Sequence, residues 1–91
     1  MTRDEVRAWL DSRRPAPPAA LRERLERAVN ARLPAPGSRL PTYLAELGRT
    51  LLDGVAAKPD GGRELALDLL AADAFATYAF EAQAEGGIHE T

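Results

Sequence analysis

A chain of 91 residues is the length of one domain, and such a chain buries only about 60–65% of its unfolded surface, so its core is thin and association is a common supplement. The absence of cysteine excludes disulfides, thiolate metal sites and cysteine catalysis. The net charge of −2 conceals a split: residues 1–40 hold nine arginines against five acids, and residues 41–91 hold three basic groups against nine acids.

Three proline clusters divide the chain: Pro15-Ala16-Pro17-Pro18, Pro34-Ala35-Pro36-Gly37 and Lys58-Pro59-Asp60-Gly61-Gly62. Between them the apolar residues recur with helical spacing, and β-branched residues are scarce. The pattern predicts an all-α fold, a small four-helix bundle with a long central C-terminal helix. One helical domain over 1–86 and a flexible tail over 87–91 are expected.

The first helix is expected over 2–14. Thr2 and Glu5 have the spacing of a capping box, and Val6, Trp9 and Leu10 share one face. Pro15 should end it, because a residue before proline avoids helical geometry. Its stripe is short, so it is expected to lie across the bundle, the least embedded of the four.

The second helix is expected over 18–33, with Pro18 in the first turn. Leu21, Leu25, Val29 and Leu33 form a narrow stripe, and arginines and glutamates fill the rest. The third begins at Ser38 or Pro41 and runs to Ala57. Leu40, Leu44, Leu47, Leu51 and Val55 give its stripe, and Gly48 inside it suits close approach by another helix at a cost of about 1 kcal/mol in propensity.

The fourth helix is expected over 61–85, with Asp60 as N-cap and Gly86 as its stop. Its apolar residues fall into two arcs. Leu65, Leu69, Ala72, Ala76 and Phe80 form the first. Leu67, Ala71, Ala74, Phe75, Tyr78 and Ala82 form the second, and this second arc is the expected self-association surface. Three short one-sided neighbours should struggle to cover both arcs. The charge split suggests the rim: Arg24 or Arg27 of one copy against Asp73 or Glu81 of another.

Catalytic and cofactor signatures are lacking. Glu81, Glu85 and His89 stand at i, i+4, i+8, but Gly86-Gly87 should break the helix before His89, and bundle metal sites draw carboxylates from several helices. Asp73, Thr77 and Glu81 read as a polar stripe, since paired carboxylates catalyse only when they converge on a cleft. Asp60-Gly61-Gly62-Arg63 lacks the lysine and the spacing of a phosphate loop. No enzyme activity, cofactor or metal is expected.

No apolar run approaches the roughly 18 residues of a membrane span, and Met1-Thr2-Arg3-Asp4-Glu5 lacks a signal-peptide pattern, so the expected location is the cytoplasm. The function expected is a non-catalytic interaction module, a homodimer or the binder of a protein partner, acting as adaptor, accessory subunit or regulator. The alternative is a small transcriptional regulator that contacts nucleic acid through the arginine-rich helix 18–33, although Glu23 and Glu26 interrupt its basic face. A third reading has Trp9, Tyr43, Phe75, Tyr78 and Phe80 lining a small-molecule pocket.

Overall fold

The computed structural model describes residues 1–58 and 61–89, with side chains described through Gly86. Four helices follow one another: α1 (Arg3–Asp11), α2 (Ala19–Ala31), α3 (Leu40–Ala56) and α4 (Arg63–His89). No strand occurs among the described residues. The fold is the expected all-α bundle, with the long C-terminal helix packed against the rest.

The capping box of α1 forms as its spacing implies. Thr2 Oγ1 accepts from the Glu5 amide, and Glu5 Oε1 accepts from the Thr2 amide, both at 3.2 Å. The helix stops at Asp11, three residues short of the expected end. The Ser12 hydroxyl donates to the Trp9 carbonyl at 2.6 Å, and the amides of Ser12 and Arg13 reach back only three residues. These contacts satisfy the last carbonyls in a tightened turn, so the helix has no need to continue to the proline. As expected, α1 is the least embedded of the four helices: it buries only Val6 and Leu10, although both of these are fully enclosed.

Pro18 caps α2 from outside rather than opening its first turn. The helix ends at Ala31, since Arg32 leaves helical geometry and Pro34 disfavours it for Leu33. Leu33 therefore drops out of the α2 stripe and is exposed. Gly37, at φ +83°, turns the chain toward α3 in a conformation that side-chain-bearing residues rarely adopt. The Tyr43 hydroxyl on α3 then donates to the Arg32 carbonyl at 2.6 Å and pins the end of α2.

Helices α3 and α4 form the main pair. Gly48 is the contact point: a Cβ there would stand 3.2 Å from the Ala72 carbonyl oxygen and 3.3 Å from Phe75 Cβ. The core gathers Val6 and Leu10 from α1, Leu25 and Val29 from α2, Tyr43, Leu44 and Leu47 from α3, and Ala71 and Phe75 from α4. Among the described residues no charged side chain is buried, and the buried Tyr43 keeps its hydroxyl bonded to the Arg32 carbonyl.

One boundary differs at the C-terminal end. The backbone of α4 continues through Gly86 and Gly87 to His89. A glycine stops a helix by entering the left-handed region, and among the described glycines only Gly37 has a positive φ. Asp60, the expected N-cap, and residues 90 and 91 of the expected tail lie outside the described residues, as do the side chains of 87–89. Among the described residues, no helix is long and apolar enough to cross a membrane.

Candidate interaction surface

The second arc of α4, expected to meet another copy, faces the chain's own core. Ala71 and Phe75 are fully enclosed, Ala82 is buried, and Leu67, Ala74 and Tyr78 are half-buried. A second molecule cannot reach Phe75 without unfolding the first. The cover comes from α1 and α2: Trp9 meets Tyr78 edge-to-face with ring centroids 5.9 Å apart.

The charges explain why α1 and α2 settle there. At 100° per residue, Asp68 and Glu81 flank the second arc of α4, and Glu85 continues it one turn beyond Ala82. Arg24 Nε bonds Asp68. Arg13 lies 3.8 Å over the Trp9 ring and places one nitrogen 2.8 Å from Glu85 and 3.5 Å from Glu81. Trp9 Nε1 donates to Glu85 Oε1 at 2.9 Å. The expected pairing of basic and acidic halves thus occurs within one chain. Arg24 takes Asp68 rather than Asp73, and Glu81 takes Arg13. Arg27 and Asp73 are exposed and enter no ion pair among the described residues.

Most of the α2 arginines are engaged in the same way. Arg22 bridges Asp11 at 2.8 Å and Glu26 at 3.2 Å, Arg7 of α1 also reaches Glu26 at 3.3 Å, and Arg32 reaches Glu46 at 3.7 Å. The Arg22 hydrogen bond holds the Glu26 carboxyl below the usual carboxylate range, outweighing partial burial, with Arg7 adding to it.

The five aromatic residues do not converge on one pocket. Tyr43 and Phe75 are core, Trp9 and Tyr78 pack on each other, and Phe80 stands apart on the opposite side of α4. Burial raises the hydroxyl pKa of Tyr43 and of Tyr78, and for Tyr78 the nearby Glu81 adds to the rise.

What α4 leaves uncovered is the outer part of its first arc, Leu69, Ala76 and Phe80, with Leu70 beside it, whereas Ala72 is buried against Gly48. Phe80 is 79% exposed, Leu70 56% and Leu69 45%, and Leu52 on the neighbouring α3 is 50% exposed. Between the two helices runs an open groove of about 570 Å³, bounded by Pro41, Ala45, Arg49 and Leu52 on one side and by Ala76 and Phe80 on the other. Its floor is Gly48 and Ala72, the point where the helices touch. Over residues 65–84 the outward side of α4 carries one charged group, Asp73. A helix apolar nearly all round is normally covered on all sides. Here α3 covers one flank, α1 and α2 cover another, and the outer sector is open.

The two-arc pattern is visible in the sequence, but the second arc, the expected self-association surface, is the one the chain covers itself. The signal that separates them is charge. The acids of α4 stand beside the second arc, where the arginines of α1 and α2 can meet them, whereas the first arc has only Asp73. Among the described residues, no three His, Asp or Glu side chains gather where they could hold a metal ion.

Compared with family models, curated proteins and solved structures, the chain matches none of them.

Proposed function

We propose that this chain is a non-catalytic helical interaction module of the cytoplasm, an adaptor, accessory subunit or regulator that binds a protein partner through the outer face of α3 and α4. The observation that carries this reading is Phe80, an aromatic side chain 79% exposed at the lip of an apolar groove. Aromatic anchors beside small-residue pockets are what protein interfaces concentrate their affinity on. Monomeric domains rarely expose contiguous apolar patches beyond a few hundred Å² without a binding role. The nucleic-acid alternative draws less support, since Arg22 and Arg24 of α2, and Arg32 at its C-terminal cap, are held in ion pairs with the chain's own acids.

The test is site-specific photo-crosslinking in cells producing the full chain. A benzophenone side chain at position 80 should give one discrete protein adduct, and the same group at position 27, on the far side of the bundle, should give none. No adduct at position 80, or equal labelling from both positions, overturns the reading.

A further inference from the structure

We infer that the partner on this face is a second copy of the chain, with α4 packed antiparallel on its counterpart around a two-fold axis and each Phe80 seated in the partner's groove between α3 and α4. The inference rests on the reading of this face as an interaction surface and names its occupant.

Self-complementarity is the first argument. A two-fold interface uses one patch twice, so each feature must find its complement on the same patch. Phe80 projects from α4 directly beside a groove floored by Gly48 and Ala72 and walled by Ala45 and Ala76. Knob and hole are thus adjacent on one face. If the helices cross near Ala76 and Thr77, Phe80 lies about 5 Å past the crossing and above the partner's groove. Ala76, with Ala66 and Ala84 on the same side, allows the two helix backbones to approach closely.

Charge is the second. The groove and the outer sector of α4 together carry Arg49 and Asp73, one cation and one anion, both exposed and neither in an ion pair among the described residues. With one charge of each sign, the patch meets its own copy without net like-charge repulsion. A strongly basic or acidic partner would leave one of these charges facing its own sign.

Area is the third. The outer sector of α4 over residues 65–84 is about 30 Å long, and with α3 beside it the face is about 20 Å wide. The product, about 600 Å² per copy, reaches the lower end of the range for stable specific interfaces.

The experiment is light scattering of the full chain between 1 and 200 µM, with circular dichroism as the control for folding. The wild type should show the mass of a dimer at the upper concentrations. Phe80→Glu should weaken association at least a hundredfold with helix content unchanged, and Ala76→Trp, which fills the groove from its wall, should do the same. A wild type that stays monomeric at 200 µM overturns the inference, as does a Phe80→Glu variant that folds and still dimerises. Crosslinking at position 80 separates this failure from that of the broader reading. A monomer that crosslinks to a different protein removes the second copy and keeps the interaction face, and a monomer with no adduct removes both. A mixture of ¹⁴N- and ¹⁵N-labelled chains that yields a mixed adduct mapping to the α3 peptide supports the two-fold arrangement directly.

Discussion

Gly48 and Phe75 meet so closely that a methyl group at Gly48 would lie 3.3 Å from Phe75 Cβ and 3.2 Å from the carbonyl oxygen of Ala72. Neither neighbour is the free end of a flexible side chain, so neither can move without α4 moving. The helix axes are therefore held together by the absence of one carbon atom.

Two glycines of α3 should consequently answer alanine with opposite signs. At Gly48, alanine improves helix propensity by about 1 kcal/mol, but overpacking a rigid contact costs about 1–3 kcal/mol. The net effect should be a loss of about 1 kcal/mol. At Gly54 nothing stands within 4 Å of the added carbon, so the propensity gain is unopposed there. Close to the helix end it should amount to about 0.5 kcal/mol of added stability. Urea unfolding of the two variants measures both. A stabilised Gly48→Ala would show that α4 is not seated on α3 as described.

The close approach was legible in the sequence because glycine inside an apolar helical stripe has few other uses. The four helices were legible for a similar reason: proline clusters and 3.6-residue periodicity are local signals. The helix ends were less so. Ser12 closes α1 by a side-chain bond that competes with Pro15 as a terminator, and Gly86 remains helical because a glycine permits a left-handed turn without compelling one. Which arc of α4 lies open is set by a non-local cause. Periodicity identifies two apolar arcs on α4 but does not say which neighbour covers which arc. That choice follows from where Arg13 and Arg24 find their acids, a pairing across most of the length of the chain.

Trp9 and Glu85 join the two ends of that chain. Glu85 accepts from the indole nitrogen with one oxygen and from Arg13 with the other. Glu85→Ala removes both acceptors and leaves a half-buried indole N–H unpaired, at a cost of about 1–2 kcal/mol. Glu85→Gln keeps an acceptor for the indole and should lose about half as much. As the single tryptophan of the chain, Trp9 reports the change. Its emission should shift to the red in Glu85→Ala and stay nearly in place in Glu85→Gln. An unchanged spectrum in both variants would place Trp9 elsewhere.

Alkaline stability should depend on the tyrosines. Burial holds the Tyr43 hydroxyl above its ordinary value, so the folded chain keeps this proton at a pH where the unfolded chain has lost it. A raised folded pKa gives stability that is complete below the ordinary value of about 10 and disappears as pH rises through the folded value. Tyr43→Phe should cost about 1 kcal/mol at neutral pH, for the lost bond to the Arg32 carbonyl, and should flatten the fall in stability above pH about 10. Tyr78 shifts in the same direction, so Tyr43→Phe/Tyr78→Phe should be flatter than either single variant. Denaturation midpoints between pH 7 and 11 measure this, and parallel curves for wild type and double variant would refute it.

At the acid end Glu26 should be visible. Its carboxyl is held low, first by the Arg22 hydrogen bond. A lowered folded pKa contributes stability above the unfolded carboxylate value and loses it as pH falls through the folded one. Glu26→Gln should therefore be slightly less stable than wild type at pH 7 and equal to it in strong acid, where both side chains are neutral. The pair is partly solvated, so the neutral-pH difference should stay below about 1 kcal/mol and shrink with added salt. A difference that persists unchanged from pH 7 into strong acid would mean that packing, not charge, is what the substitution removes.

Phe75 and Phe80 are five positions apart on one helix and should behave as residues of different classes. Phe75 is fully enclosed, and truncating it to alanine leaves a cavity between α4 and its neighbours. Such a change costs about 3–5 kcal/mol, a large share of the roughly 5–14 kcal/mol expected for a chain of this length. Phe80 touches little in its own chain, so Phe80→Ala should change the stability of the dilute protein by less than about 0.5 kcal/mol. The difference between the wild type and Phe80→Ala should emerge with concentration. Association stabilises the folded state by mass action, so the wild-type Tm should climb between 1 and 200 µM. Phe80→Ala should lose most of that climb while starting from the same Tm at 1 µM. Differential scanning calorimetry across the concentration range measures it. If Phe80→Ala already melts several degrees lower at 1 µM, then Phe80 is packed within its own chain, and the outer face of α4 is not the open surface described above.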